Sequence, residues 1–290
     1  MYELTQDSSA YISWISTMPP VYCALIKVCS IFGKFKLDIV VLIQIALLFF
    51  ASCKITNWLG LKNRYLKALT FCVAISPILC WGLKIGNDLM GYSLMLFALA
   101  MFHKNKEKFF WLVVLATLAR WQYCFLFCLF LIDRKTIKYF IVSCVLLFLI
   151  GFKCGLNPVS RLSIPINYIA TKYDTKPDKI SHSVWFNKHL DDIAGNVDVS
   201  KFNLTKFLKV VGSKIYDNFR LHQLFVIPLL FFLGSLKVRF LLFAASFHYA
   251  EILLATSMYF QRYTFMIELC IMFAMLKFLD DYINLRKRNV

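Results

Sequence analysis

Acidic residues are scarce in this chain: 16 Asp and Glu stand against 33 Lys and Arg, a formal net charge of +17 over 290 residues. In a soluble protein that imbalance would suggest nucleic acid. Here the basic residues cluster in short loops between apolar runs, which is the positive-inside pattern of a membrane protein, and no nucleic-acid partner is expected. Strands of alternating apolar and polar residues are missing, which excludes a transmembrane barrel. The 10 cysteines contain no Cys-x-x-Cys pair and no Cys/His cluster at zinc spacing. Cys53, Cys72, Cys80, Cys124, Cys128, Cys144 and Cys270 lie inside apolar runs and read as small hydrophobes. Asp191 and Asp192 are adjacent in a polar loop, but no third ligand is spaced to join them. No metal and no cofactor are assigned. The first ten residues carry no basic group, so no cleavable signal peptide is expected. Internal repeats and low-complexity tracts are also missing.

What the chain has in abundance is apolar surface. It is 60% hydrophobic and 17% aromatic, with a mean hydropathy of +0.65. A soluble domain of this length cannot hide that much. The expected fold class is an all-α polytopic membrane protein with about 7–9 transmembrane segments, one short hairpin and one large external loop. Apolar runs fall at 11–32, 37–54, 66–83, 88–103, 109–132, 137–152, 223–236, 239–258 and 263–280. The chain divides into an N-terminal membrane region (1–152) with a juxtamembrane segment (11–32), an external loop (153–222) with an amphipathic helix around Phe202–Ile215, and C-terminal membrane helices (223–290).

Basic residues set the orientation. Lys62/Arg64/Lys67, Lys104/Lys106/Lys108, Arg134/Lys135/Lys138, Lys237/Arg239 and Arg286/Lys287/Arg288 fall on one, cytoplasmic, side if 109–132 enters and returns to that side. That run is too short for two full crossings at about 1.5 Å per residue. It is expected to be two half-helices meeting near Ala119–Arg120–Trp121, with irregular backbone lining a cavity. The C-terminus is then cytoplasmic. Segment 11–32 could span or lie along the outer face, which leaves the side of Asp7 open.

Against this background, charges at membrane depth stand out. Each costs at least about 2.5–3.5 kcal/mol to insert, so it persists where it is paired, lines a wet cavity or does chemistry. Asp88 opens a helix after Gly86–Asn87, either as a cap or as a carboxylate positioning or deprotonating an acceptor hydroxyl. Glu251 and Glu268 sit inside the outer ends of late segments, and His248 lies one turn from Glu251. They form either an ion-paired network or a polar cavity open to the outer side. Arg120 and Arg262 suit a phosphate, because guanidinium matches phosphate geometry. Arg262–Tyr263 opens the last apolar run.

The order of these features resembles the multi-spanning GT-C glycosyltransferases that use polyprenyl-phosphate sugars, among them protein mannosyltransferases and lipid A aminoarabinose transferases. The matching elements are Asp7–Ser8–Ser9–Ala10–Tyr11, Pro19–Pro20–Val21–Tyr22 running to Phe32–Gly33, Ser76–Pro77, Asp88, and Arg262–Tyr263. The chain is shorter than most members and starts without their first span, so the likeness is to a compact or N-terminally short form. The resemblance implies inverting sugar transfer from a polyprenyl-phosphate-linked donor to a cell-surface glycan or glycolipid on the outer face, in a bacterial inner membrane. It implies an external carboxylate as general base, carried to Asp7 first and Asp88 second. Arg262, Tyr263, Arg120, Glu251, Glu268 and His248 are the expected substrate-binding residues. O-antigen polymerases share the Asp-x-x-x-Tyr start but carry more external Arg. A lipid-linked glycan transporter or flippase would use the same charges for an anionic headgroup.

Overall fold

The computed structural model describes residues 3–4, 8–13, 19–132, 134–153, 203–206, 208–209, 212, 221–255 and 261–287. The protein is all-α apart from a two-residue parallel pairing of β1 (Glu3–Leu4) with β2 (Lys84–Ile85). The helices are α1 (Ser8–Ile12), α2 (Pro20–Val28), α3 (Lys36–Leu59), α4 (Arg64–Ile75), α5 (Ile78–Trp81), α6 (Asp88–Met101), α7 (Lys106–Ala119), α8 (Ile137–Lys153), α9 (Leu221–Leu233), α10 (Leu236–Ala255) and α11 (Gln261–Arg286). A 3-10 stretch, Cys29–Phe35, joins α2 to α3, and another, Trp121–Leu131, follows α7.

Local chemistry sets the helix ends. Proline fixes φ and lacks an N–H, so Pro20 is suited to open α2. The chain kinks at Gly33, whose φ of 56° favours glycine. Gly60, in the left-handed region, closes α3. Asn63 caps α4 by accepting from the Tyr65 and Leu66 N–H groups, and Asn105 caps α7 by accepting from Lys108. α4 ends just before Ser76–Pro77: Ser76 keeps helical backbone, but Pro77 has no N–H to carry the helical bonding on.

α6 is the central helix. Its residues are buried on every side, from Leu89 through Ala100, which is the signature of a helix enclosed by others. α3 and α7 pack on it, and α10 packs on α11 and on the Trp121–Leu131 helix. The chain reverses at Arg120: Phe109 and Phe130, on either limb, meet with ring centroids 4.8 Å apart.

The basic loops gather at one end of the bundle. Trp58 at the end of α3 stacks on His103 after α6, and Phe240 of α10 packs against both Trp58 and Phe102. Asp280 of α11 accepts from the Lys62 and Asn63 N–H groups. Tyr139, beside the Arg134–Lys138 loop, packs on Phe110 and Phe130.

Among the described residues, two helical stretches are long and apolar enough to cross a membrane: Pro20–Leu59, with a hydropathy of 2.3, and Arg64–Trp81, with 1.2. The large external loop expected at 153–222, with its amphipathic helix, lies mostly outside the described residues.

Candidate functional site

At the end opposite the basic loops, the N-terminus of α6 meets the reversal between α7 and the Trp121–Leu131 helix. α7 makes its last helical bond from the Arg120 N–H to Ala116, at 2.8 Å. Arg120 itself is extended, and the 3-10 bonding resumes from the Tyr123 N–H to the Arg120 carbonyl at 3.0 Å. The reversal leaves carbonyls at the end of α7 without helical partners. Asn87 meets one of them: its Nδ2 donates to the Ala119 carbonyl at 2.8 Å. Its Oδ1 accepts from the Tyr11 hydroxyl at 3.0 Å. One buried amide thus ties the N-terminal segment, the start of α6 and the end of α7 together.

Asp88, in the first turn of α6, forms an ion pair with the Arg120 guanidinium. Asp88 is one-fifth exposed and Arg120 one-tenth, so the pair sits at the rim of the interior. Asp88 is the first helical residue rather than the cap, and its charge also complements the helix N-terminus. A carboxylate against a guanidinium in this setting gives a site where an anion and an acidic group can exchange partners.

The rest of the end is organised from behind. Gln44, the lone amide in the middle of an apolar run, is fully buried. Its Nε2 donates to the Gly86 carbonyl at 2.9 Å and to the Tyr22 hydroxyl at 3.1 Å. The Ser8 hydroxyl donates to the Ile85 carbonyl at 2.7 Å. Tyr11 and Tyr22 meet edge to face at 5.2 Å. Ser8 and Tyr11 at one side of the segment and Gln44 at the other therefore contact the same 85–87 loop. Asp7 lies outside the described residues, but its neighbour Ser8 is anchored beside Lys84–Asp88.

The last helix reaches the same end. Phe265, near the start of α11, packs on Trp81 at 5.3 Å and on Tyr92 at 6.3 Å. Arg262 and Tyr263 fall in the first turn of α11 and Glu251 near the end of α10, with their side chains outside the described part. His248 is buried, its ring 4.3 Å from that of Phe125 in the helix after the reversal. Glu268 is half-buried on α11.

Sequence reasoning named Asp88 and Arg120 but did not pair them. It missed Asn87 and Gln44. The signals were there: an Asn before the helix-opening Asp, and a single amide inside an apolar run. No group of three or more His, Cys, Asp or Glu side chains able to hold a metal exists among the described residues. No protein-family model, curated protein or solved structure matches the chain.

Proposed function

We propose that the protein is a polytopic membrane glycosyltransferase that moves a sugar from a polyprenyl-phosphate carrier to a surface glycan or glycolipid at the outer face. The observation that carries this reading is the Asp88–Arg120 pair at the break in the α7 reversal. An interrupted helix that presents charge at the end of a hydrophobic bundle is the kind of backbone tolerated at membrane depth where it is buried in protein or lines a cavity, and a charge pair at the rim favours the second.

Membrane insertion is supported by two stretches of spanning length and by large apolar side chains on the outside, such as Leu42, Phe50, Ile141 and Phe232. The basic loops meet at one end of the bundle, as the positive-inside rule requires of its cytoplasmic side. The Asp88 end is then external, and the limbs around Arg120 form a hairpin that enters from and returns to the cytoplasmic side, with Arg120 at its outer tip.

In this reading Arg120 and Arg262 meet the carrier phosphate, which leaves with its charge stabilised by guanidinium. An acceptor hydroxyl needs a base, because its own pKa lies far above neutral. Asp7 takes that role first. Asp88, engaged by Arg120, is the second choice, since a carboxylate beside a guanidinium is held in its charged form and is a weaker base. Glu268 and His248 belong to the late-helix side, and Tyr263 and Glu251 are assigned to substrate binding with Arg262.

The test is transfer of sugar from a synthetic short-chain polyprenyl-phosphate donor by the purified full chain in detergent. The expected result is donor consumption with free polyprenyl phosphate as product, lost in Arg262→Ala. A panel of such donors left intact by the folded protein overturns the reading.

A further inference from the structure

A cavity of about 1040 Å³ opens at the basic-loop end of the bundle. α6 separates it from Asp88 by about 20 Å of helix. Its wall is formed by the loop after α3, His103, the α9–α10 turn and the last turns of α11. Four charged side chains decide its chemistry beyond Lys62. Asp280 is spent on the Lys62 and Asn63 backbone N–H groups, the shortest at 2.8 Å. Asp281 is paired with Lys277 at 2.6 Å. Lys237 bonds the Trp58 carbonyl and the Leu59 carbonyl, the latter at 3.3 Å, and lies over the Trp58 ring. Among the described residues no carboxylate pairs with Lys237 or with the exposed Lys62.

Two cations therefore face a cavity whose acids are already engaged. Burial, then the neighbouring Lys277, pushes the Lys237 ammonium below its ordinary pKa, against a partial offset from Asp281. Gly60 keeps the space: a Cβ there would stand 3.3 Å from Lys237 Nζ. The rim is apolar and open, with Leu233, Leu236 and Leu285 more than half exposed. Cations in a pocket with an apolar lip match an amphiphile carrying an anionic head, and basic pockets between cytoplasmic helix ends take such headgroups.

We propose that this cavity binds the phosphodiester headgroup of an anionic phospholipid of the cytoplasmic leaflet, with Lys62 and Lys237 on the phosphate and the acyl chains along the leucine rim. The proposal rests on membrane insertion of the chain, and not on the transfer reaction.

The experiment uses the full chain in zwitterionic detergent and reads thermal unfolding as phosphatidylglycerol, phosphatidylcholine or inorganic phosphate is added. Phosphatidylglycerol is expected to raise the midpoint, and the other two to leave it in place. Lys62→Gln is expected to raise the half-maximal phosphatidylglycerol fraction about five-fold. Lys138→Gln, a charge at the same end but outside the cavity, is expected to shift it less than about two-fold. Should Lys237→Gln fold, it is expected to behave as Lys62→Gln; should it not, the Lys62→Gln and Lys138→Gln comparison decides. Equal stabilisation by phosphatidylcholine overturns the proposal. So does an inorganic-phosphate effect of the same size, which would mark a soluble anion. An equal shift in Lys138→Gln overturns it too, as diffuse surface charge. Carbonate extraction of membranes from the expressing cell tests insertion separately. A chain that resists carbonate yet shows no headgroup selectivity counts against the cavity alone.

Discussion

Gly91 lies directly beneath Arg120: a Cβ on Gly91 would stand 2.9 Å from the Arg120 Cβ and 2.6 Å from Tyr123 Cε2. Positions three apart share a helix face, so Gly91 sits under Asp88 on α6. The missing side chain lets the α7 reversal settle onto the helix backbone and brings the guanidinium to the carboxylate. Gly91→Ala forces Arg120 and the buried Tyr123 ring apart from α6. Although alanine favours helix by about 1 kcal/mol over glycine, overpacking of this kind costs about 1–3 kcal/mol. A lowered unfolding midpoint in detergent is expected. A raised midpoint would mean that helix propensity outweighs the contact.

The ion pair is testable on its own. Removing one partner of a buried pair leaves the other uncompensated, at a cost of about 3–5 kcal/mol. Asp88→Ala and Arg120→Ala are each expected to lower the unfolding midpoint strongly. The double variant is expected to fall short of the summed losses, because neither charge is then stranded. Strict additivity would show that the two side chains do not interact.

Asn87 makes a different prediction. Its amide is both donor and acceptor, so Asn87→Ala removes a partner from the Tyr11 hydroxyl and from the Ala119 carbonyl together. Buried unsatisfied groups cost about 1–3 kcal/mol each. Tyr11→Phe removes one partner only and leaves Asn87 bonded to Ala119. The expected order of unfolding midpoints is wild type, then Tyr11→Phe, then Asn87→Ala.

These contacts divide what the residue pattern could reveal from what it could not. Helical class, the break at Arg120 and the helix starts at Pro20 and Asp88 were readable, because hydrophobic period, proline and run length act locally. The gathering of the basic loops was readable from charge alone. The Asp88–Arg120 pairing was not, since it depends on which helices are neighbours, and α6 could have presented Asp88 to α11 instead. Gln44 was equally hidden: an amide in an apolar run declares itself polar, but only packing shows that it holds the Gly86 carbonyl. Gly91 carried no signal, because a helical glycine looks the same whether or not another segment rests on it.

Topology yields the fourth prediction. A single cysteine at position 196, on a background without native thiols, is expected to react with an impermeant maleimide from the outer side, and one at position 287 only after permeabilisation. The motive is the one-sided gathering of Lys and Arg. Labelling at 196 only from the cytoplasmic side reverses the orientation, and with it every assignment at the Asp88 end.

The last prediction separates two carboxylates. A general base contributes typically about 10²–10⁴-fold to rate, and its amide replacement loses that while keeping shape. Asp7→Asn is therefore expected to cut sugar transfer by that factor with an unchanged unfolding midpoint. Asp88 is committed to Arg120, so Asp88→Asn is expected to lower the midpoint first, and to reduce transfer through a misplaced guanidinium. Two readouts on the same two proteins distinguish the roles: turnover at saturating donor, and unfolding in the same detergent. Ser8, bonded to the Ile85 carbonyl, lies beside the start of α6, and the proposal that Asp7 and Asp88 act at one site starts from that contact. An Asp7→Asn enzyme with near-normal turnover would remove Asp7 from the chemistry. A stable Asp88→Asn enzyme without turnover would move the base to Asp88, with Arg120 released to the carrier phosphate during the reaction.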